Sequence, residues 1–199
     1  MKKTMLMAAV VASSFVATNT FANEVEGFYL GGAIGTTGID DGGLYSGTLA
    51  PITVKAEDST FKVIAGYQFN RIVAIEAQYT NYGDIVAKNA LNQSTYTWSP
   101  TAFSVSANLG YTFENGVRPF GIIGLASIDL DQSLPMLQDD SGEGVRLGFG
   151  VEYTPASIGN VSFKLGYEAD AFTIESASVY DSDKDIVIDS FYAAVAYRF

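Results

Sequence analysis

The chain contains no cysteine and no histidine. The first absence excludes disulfides, thiolate zinc sites and cysteine nucleophiles. The second removes every triad or dyad that uses imidazole as its base, together with the commonest metal ligand. Charged residues make up only 17% of the chain, and the 11 basic residues are outnumbered by 22 acidic ones. The net charge of −11 is unsuited to a phosphate backbone, so nucleic acid is not an expected partner. What is present points elsewhere. Hydrophobic residues reach 48%, which excludes intrinsic disorder, and there are 20 glycines, 12 tyrosines and 13 phenylalanines. That mixture suits closely packed strands carrying aromatic side chains. At 199 residues the chain has the length of one domain.

The first 22 residues read as a secretory signal peptide. Lys2 and Lys3 form the charged start, an apolar stretch follows from Met5 to Ala17, and Thr20 and Ala22 stand at the small-residue positions before a cut. The stretch is shorter than the ~20 residues a spanning helix needs. Its removal leaves residues 23–199 as one domain with 9 basic and 22 acidic residues, a net charge of −13. No later run is long enough for a spanning helix, so a membrane protein made from this chain has to be a β-barrel.

Eight segments alternate with period two: 27–35, 60–69, 72–82, 102–113, 118–128, 144–153, 161–172 and 190–199. The fourth sets Phe103, Val105, Ala107, Leu109, Tyr111 and Phe113 against Ser104, Ser106, Asn108, Gly110 and Thr112. In the fifth the adjacent Ile122 and Ile123 blur the pattern, and Phe120 and Ile122 are assigned outward. The connections alternate between short (70–71, 114–117, 154–160) and long (36–59, 83–101, 129–143, 173–189). This is the layout of short periplasmic turns and long extracellular loops. The expected fold is all-β, an eight-stranded antiparallel up-and-down transmembrane barrel. A ten-stranded variant would recruit part of 44–55 or 96–100 as an extra hairpin.

Charge decides which face meets lipid. The polar faces carry too few charges to coat a soluble barrel, and much glycine and alanine, which suits a tight lumen. Aromatic residues sit near the strand ends: Tyr67, Phe69, Tyr111, Phe113, Phe120, Tyr153, Phe163, Tyr197 and Phe199 at the turn ends, Phe61, Tyr79, Phe103 and Phe191 at the loop ends. Two such girdles mark two membrane interfaces. The inward set then holds Lys62, Arg146, Lys164 and Arg198 against Glu76, Glu152, Glu168 and Asp170, a balance that a sealed, salt-bridged interior requires.

Candidate chemistry is sparse. The four lumen carboxylates read as structural ion pairs rather than paired catalytic acids. The glycine-rich stretch 31–38 matches no phosphate-binding fingerprint and no helix follows it. No enzyme activity and no cofactor are expected. Asp181, Asp183, Asp185 and Asp189 begin like a calcium loop, but Ile186 stands where the turn glycine belongs and Tyr192 where the bidentate glutamate belongs. These four are a weak metal candidate, and a solvated acidic loop is the simpler reading. Across the four long connections 15 acidic residues face Lys55, Lys88 and Lys184, so almost the whole net charge lies on the loops.

Several stretches resemble the OmpA-like and OmpX/Ail-like outer-membrane barrel family. They are Gly27-Phe28-Tyr29-Leu30-Gly31-Gly32, then Gly66-Tyr67-Gln68-Phe69-Asn70-Arg71 leading into Ala77-Gln78-Tyr79-Thr80-Asn81-Tyr82-Gly83-Asp84, and Gly150-Val151-Glu152-Tyr153. The end, Tyr197-Arg198-Phe199, is similar to the family's terminal signal for the barrel-insertion machinery, which makes Phe199 the candidate insertion signal. The resemblance implies an outer-membrane location and a barrel-only member. No wall-anchoring domain is expected after Phe199. Members of that kind are linked to adhesion, colonisation or resistance to host defences, including accessory colonisation factors. The expected partners are outer-membrane lipid, the insertion machinery and a host or environmental ligand at the loops, with the barrel a monomer. A narrow porin-like channel for ions or small solutes is the alternative function, and a histidine-free enzyme the third.

Overall fold

The computed structural model describes residues 25–40, 52–89, 95–131, 141–174 and 184–199. The expected signal peptide lies outside the described residues, as do residues 44–51 of the expected extra hairpin. Twelve strands are described: β1 Gly27–Gly35, β2 Gly38–Asp40, β3 Ile52–Ala56, β4 Thr60–Gln68, β5 Val73–Asn81, β6 Ile85–Asn89, β7 Thr95–Trp98, β8 Thr101–Gly110, β9 Val117–Asp129, β10 Ser141–Tyr153, β11 Val161–Ile174 and β12 Lys184–Arg198. Eight of them, β1-β4-β5-β8-β9-β10-β11-β12, pair antiparallel in chain order, and β12 returns to β1 to close the barrel. At the seam Tyr29 lies opposite Arg198 and Gly35 opposite Tyr192. Closure pairs the edges that an open sheet would leave unsatisfied in lipid.

The two candidate segments for extra barrel strands do something different. β3 and β7 flank β6 in a separate three-stranded sheet at the loop end, and the barrel wall keeps eight strands. Ile85, Val86, Ala87 and Trp98 are buried there. At the opposite end the turns are tight. Asn70 Oδ1 accepts the backbone N–H of Ile72 at 2.8 Å and of Val73 at 2.9 Å. Gly116 takes a φ of +81° between β8 and β9, where an added Cβ would strike the carbonyl of Thr154.

The side chains that alternate outward are apolar through most of the wall: Leu30, Ile34, Phe103, Val105, Leu109, Ile123, Leu125, Leu147, Phe149, Leu165 and Val195 are all exposed. In water such a surface would be untenable; against acyl chains it is the ground state. The inward set is polar, as the sequence indicates. Phe120 and Ile122 are the exception to the expectation. They are buried in the lumen, while Pro119 and Ile123 face out. The reason is Arg118 on the same strand face. Its guanidinium has to point inward, and period two then carries Phe120 and Ile122 in with it. Phe120 therefore leaves the lower aromatic girdle.

Toward the loops the polarity inverts. In β12, Tyr192 and Ser190 point in and Phe191 points out, but two residues earlier Ile188 and Ile186 point in and Asp189 and Asp185 point out. The strands themselves run on without a break: β9 continues to Asp129, β10 begins at Ser141, β11 continues to Ile174 and β12 begins at Lys184. Tyr82, Ala102, Ala126, Ile128, Leu130, Phe172, Ile186 and Ile188 form one buried cluster inside this upper part, with Ile39 of β2 packed against it. The outer face there carries Asp40, Asn81, Asp129, Glu143 and Thr173, all exposed. The upper barrel is built like a water-soluble one, with its apolar side in.

Candidate functional site: the lumen and its cap

Below the apolar cap the lumen is filled by a connected set of charged and polar side chains. At the top, Arg146 grips Asp170 with two bonds, Nε to Oδ1 at 2.7 Å and Nη2 to Oδ2 at 2.6 Å. The two residues are direct cross-strand neighbours of β10 and β11, which fixes the geometry. Tyr82 donates its hydroxyl to the same carboxylate at 2.6 Å. Beside it, Glu168 Oε2 accepts from Lys62 Nζ and from Gln78 Nε2, both at 2.8 Å, and lies 3.7 Å from Arg146 Nη1.

One level down, Glu76 Oε1 accepts from Lys164 Nζ at 2.5 Å, from the Tyr29 hydroxyl at 2.5 Å and from Asn108 Nδ2 at 3.0 Å. Asn108 passes the network on, since its Oδ1 accepts from Arg118 Nη1 at 2.7 Å. At the turn end Glu152 lies between two arginines, 3.5 Å from Arg118 and 4.0 Å from Arg198. Arg198 also donates to Gln68 Oε1 at 2.9 Å. Lys62 Nζ sits 4.6 Å from the ring centre of Tyr192, and Lys164 Nζ 4.8 Å from that of Tyr29.

Glycine makes room for this filling. A Cβ on Gly66 would collide with the Tyr29 ring, one on Gly166 with the Tyr192 ring, and one on Gly150 with Phe120. Each inward ring lies in a socket left by an inward glycine on the facing strand. An eight-stranded barrel has space for side chains and little else, and here the rings and ion pairs occupy it.

All eight predicted lumen residues lie on the inner face, and the structure brings them into the pairs given above. Sequence reading missed Arg118, which is buried and makes the fifth cation. Its signal was the inward phase of β9, obscured by the Ile122-Ile123 pair. It also missed the phenolic donors Tyr29 and Tyr82 and the relay residue Asn108. Of the weak metal candidates, Asp181 and Asp183 lie outside the described residues. Asp185 is exposed and accepts the Thr173 hydroxyl at 2.8 Å. Asp189 faces out beside Gly38, where an added Cβ would meet its carboxylate. No group of three or more potential metal ligands occurs among the described residues. Phe199 is exposed at the turn end. Its ring lies 5.1 Å from Tyr197 and 5.9 Å from Phe28, and its N–H donates to the Phe28 carbonyl at 2.9 Å.

A closed barrel, apolar outside and ion-paired inside, is an integral protein of the bacterial outer membrane. The family model for the outer membrane protein beta-barrel domain matches residues 7–199, and the chain belongs to that family. Its fold is of the OmpA/Ail type, as the resemblance implied. Neisserial surface protein A is 21% identical with a TM-score of 0.53, the match covering 86% of this chain and 97% of that one. The attachment invasion locus protein Ail of Yersinia pestis is 14% identical with a TM-score of 0.51, covering 87% and 99%. OprG of Pseudomonas aeruginosa is 12% identical with a TM-score of 0.53, covering 88% and 97%. At these identities the likeness is one of fold. No curated protein matches the chain.

Proposed function

We propose that this barrel is a surface-interaction protein, a rigid outer-membrane scaffold that presents acidic loops to the outside, and not a channel or an enzyme. The observation that carries the reading is the doubly obstructed lumen. A salt-bridged layer fills the bore from Arg198 to Arg146, and the buried cluster around Ile128, Ile186 and Ile188 lies above it. A hydrated ion crossing this path would have to displace bonds of 2.5–2.8 Å and then pass a dry apolar zone. The porin-like alternative has no comparable observation in its favour.

What remains for contact with the environment is the loop end, where 15 acidic residues face three lysines in the four long connections. Such a surface selects basic partners and repels polyanions. Ail is known in complex with the heparin analogue sucrose octasulfate. The charge on this chain argues for the opposite preference, a basic protein or peptide surface on a host cell or a neighbouring bacterium, in the manner of an adhesion or colonisation factor. The barrel acts as a monomer in lipid, since the ring of outward apolar residues is continuous, and the exposed terminal Phe199 is presented to the insertion machinery.

Two measurements test this together. Purified barrel in planar bilayers should give little or no steady conductance. Barrel in nanodiscs should bind immobilised poly-lysine in a salt-dependent way and fail to bind heparin. Stable channels, or heparin binding at physiological salt equal to that of poly-lysine, would overturn the reading.

A further inference from the structure

The turn end of the lumen carries more positive charge than the residues around it neutralise. Among the described residues the lumen holds five cations, Lys62, Arg118, Arg146, Lys164 and Arg198, against the four carboxylates of Glu76, Glu152, Glu168 and Asp170. In the upper part each carboxylate has a cation of its own, although Arg146 Nη1 and Glu168 Oε1 make no hydrogen bond. Arg146 with Asp170, Lys62 with Glu168 and Lys164 with Glu76 all meet at 2.5–2.8 Å. The surplus therefore falls at the turn end, where Arg118 and Arg198 share Glu152 at 3.5 and 4.0 Å, beyond good hydrogen-bond distance for either.

Arg118 donates through Nη1 to Asn108 Oδ1 and through Nη2 to the carbonyls of Ile72 and Asn108, each at 3.3 Å, but the Nε donors of this end are unused. Arg118 Nε and Arg198 Nε are buried and have no protein partner, and neither does the buried hydroxyl of Thr112. Arg118 is 2% exposed, so its free N–H is held inside the barrel. Its guanidinium lies over Gly110, where a Cβ would stand 3.0 Å from Cζ, so the site is shaped around the planar group. The remaining anionic groups of this end, Glu26, Glu114 and the terminal carboxylate of Phe199, belong to exposed residues, and Glu26 is engaged by the Tyr67 hydroxyl at 3.2 Å. None of them forms an ion pair with Arg118 or Arg198 among the described residues. A buried unit charge with unused donors destabilises the fold unless a counter-charge joins it.

We propose that Arg118 and Arg198, with Thr112 opposite Arg118 on the adjoining strand, form a binding site for one small monovalent anion at the periplasmic mouth of the lumen, chloride under ordinary salt conditions. Its entrance is on the turn side, since the bore is closed above by the ion pairs and the apolar cap. The anion is a resident of the wall and not a permeant species. The site differs from the proposed loop function in place and in ligand, and it stands whether or not the loops bind a basic partner.

Bromide is the probe. Crystals of the barrel grown or soaked in bromide should show an anomalous peak between the Arg118 and Arg198 side chains. In detergent micelles at constant ionic strength, the unfolding midpoint should rise as gluconate is replaced by bromide and should level off at one bound ion. Arg118→Gln should abolish the rise. Arg198→Gln, at a less buried position, gives the same answer should Arg118→Gln fail to fold. Glu152→Gln removes the competing carboxylate and should tighten bromide binding by about tenfold or more. A bromide dependence that survives both arginine substitutions, no dependence at all, or anomalous density confined to the outer surface would each overturn the site.

Discussion

Replacing Arg146 with methionine tests the ion-paired lumen at its doubly bonded pair. The substitution keeps much of the side-chain volume and removes the charge. It leaves Asp170, which is fully buried, without its two bonds of 2.6 and 2.7 Å, and takes a cation from 3.7 Å of Glu168. Glu168 retains Lys62 and Gln78. Asp170 retains only the Tyr82 hydroxyl among its side-chain bonds described here, and such a bond is worth about 1.5–3 kcal/mol to a charged group. Breaking a buried pair from one side costs about 3–5 kcal/mol, and R146M should fall in that range. The folded barrel should resist boiling-free electrophoresis as a distinct band, so the fraction folded can be followed against urea on a gel. A second substitution closes the cycle. Asp170→Asn added to R146M removes the orphaned charge, and the double variant should recover about 2 kcal/mol or more of the loss. A cost for R146M below about 1 kcal/mol, or strictly additive effects of the two substitutions, would mean that the pair is not buried as described.

Two further expectations concern the membrane. Ile123→Arg, outward near the middle of the apolar band, should cost about 2–4 kcal/mol when the barrel folds into phospholipid vesicles, whereas Ser127→Arg, outward at the band's upper edge, should cost about 0–1 kcal/mol; equal costs would refute the position of the band. Deleting Phe199 should lower the amount of assembled barrel in outer-membrane fractions while secretion continues, and unchanged surface levels would remove its role as the insertion signal.

The barrel was legible because lipid enforces a strict rule on every outward residue between the two interfaces. Within that band the sequence states its own alternation, as in Phe103 to Phe113 or Val145 to Tyr153, and the strand count follows. The lumen was legible for a related reason: a charge such as Lys62 or Glu168 on a strand otherwise facing lipid has one direction available. The departures have three separate causes. Above the band water replaces lipid, the rule reverses, and Asp189 followed by Ser190 breaks the period just where the strand itself does not break. One continuous phase therefore starts the last strand at Ser190 and leaves the 15 residues 129–143 and the 17 residues 173–189 to loops. Phe120 departs from the expectation because an aromatic near a turn fits a girdle as well as a lumen, and only Arg118, two residues earlier on the same face, sets the phase. The small sheet of β3, β6 and β7 was invisible because its pairing is local to two connections and carries no lipid-facing pattern.

The reversal also bears on why such a barrel would be sealed in two different ways. Within the membrane the outer face is committed to apolar residues, and the narrow bore is left with the polar ones, so the chain can fill it only with pairs such as Arg146 with Asp170 and Lys164 with Glu76. Above the membrane the outer face is free to be polar, and the bore can be closed with Ile128, Ile186 and Ile188, which need no partners. The apolar seal needs less compensation, because burying a methyl group stabilises outright whereas an ion pair has first to recover the desolvation of two charges. Strands that rise beyond the bilayer thus gain stability from the same hydrophobic effect that folds a soluble protein. They also carry the loops clear of the lipid head groups on a firm base. The proposed role, in which the loops meet another surface, would draw on that extension.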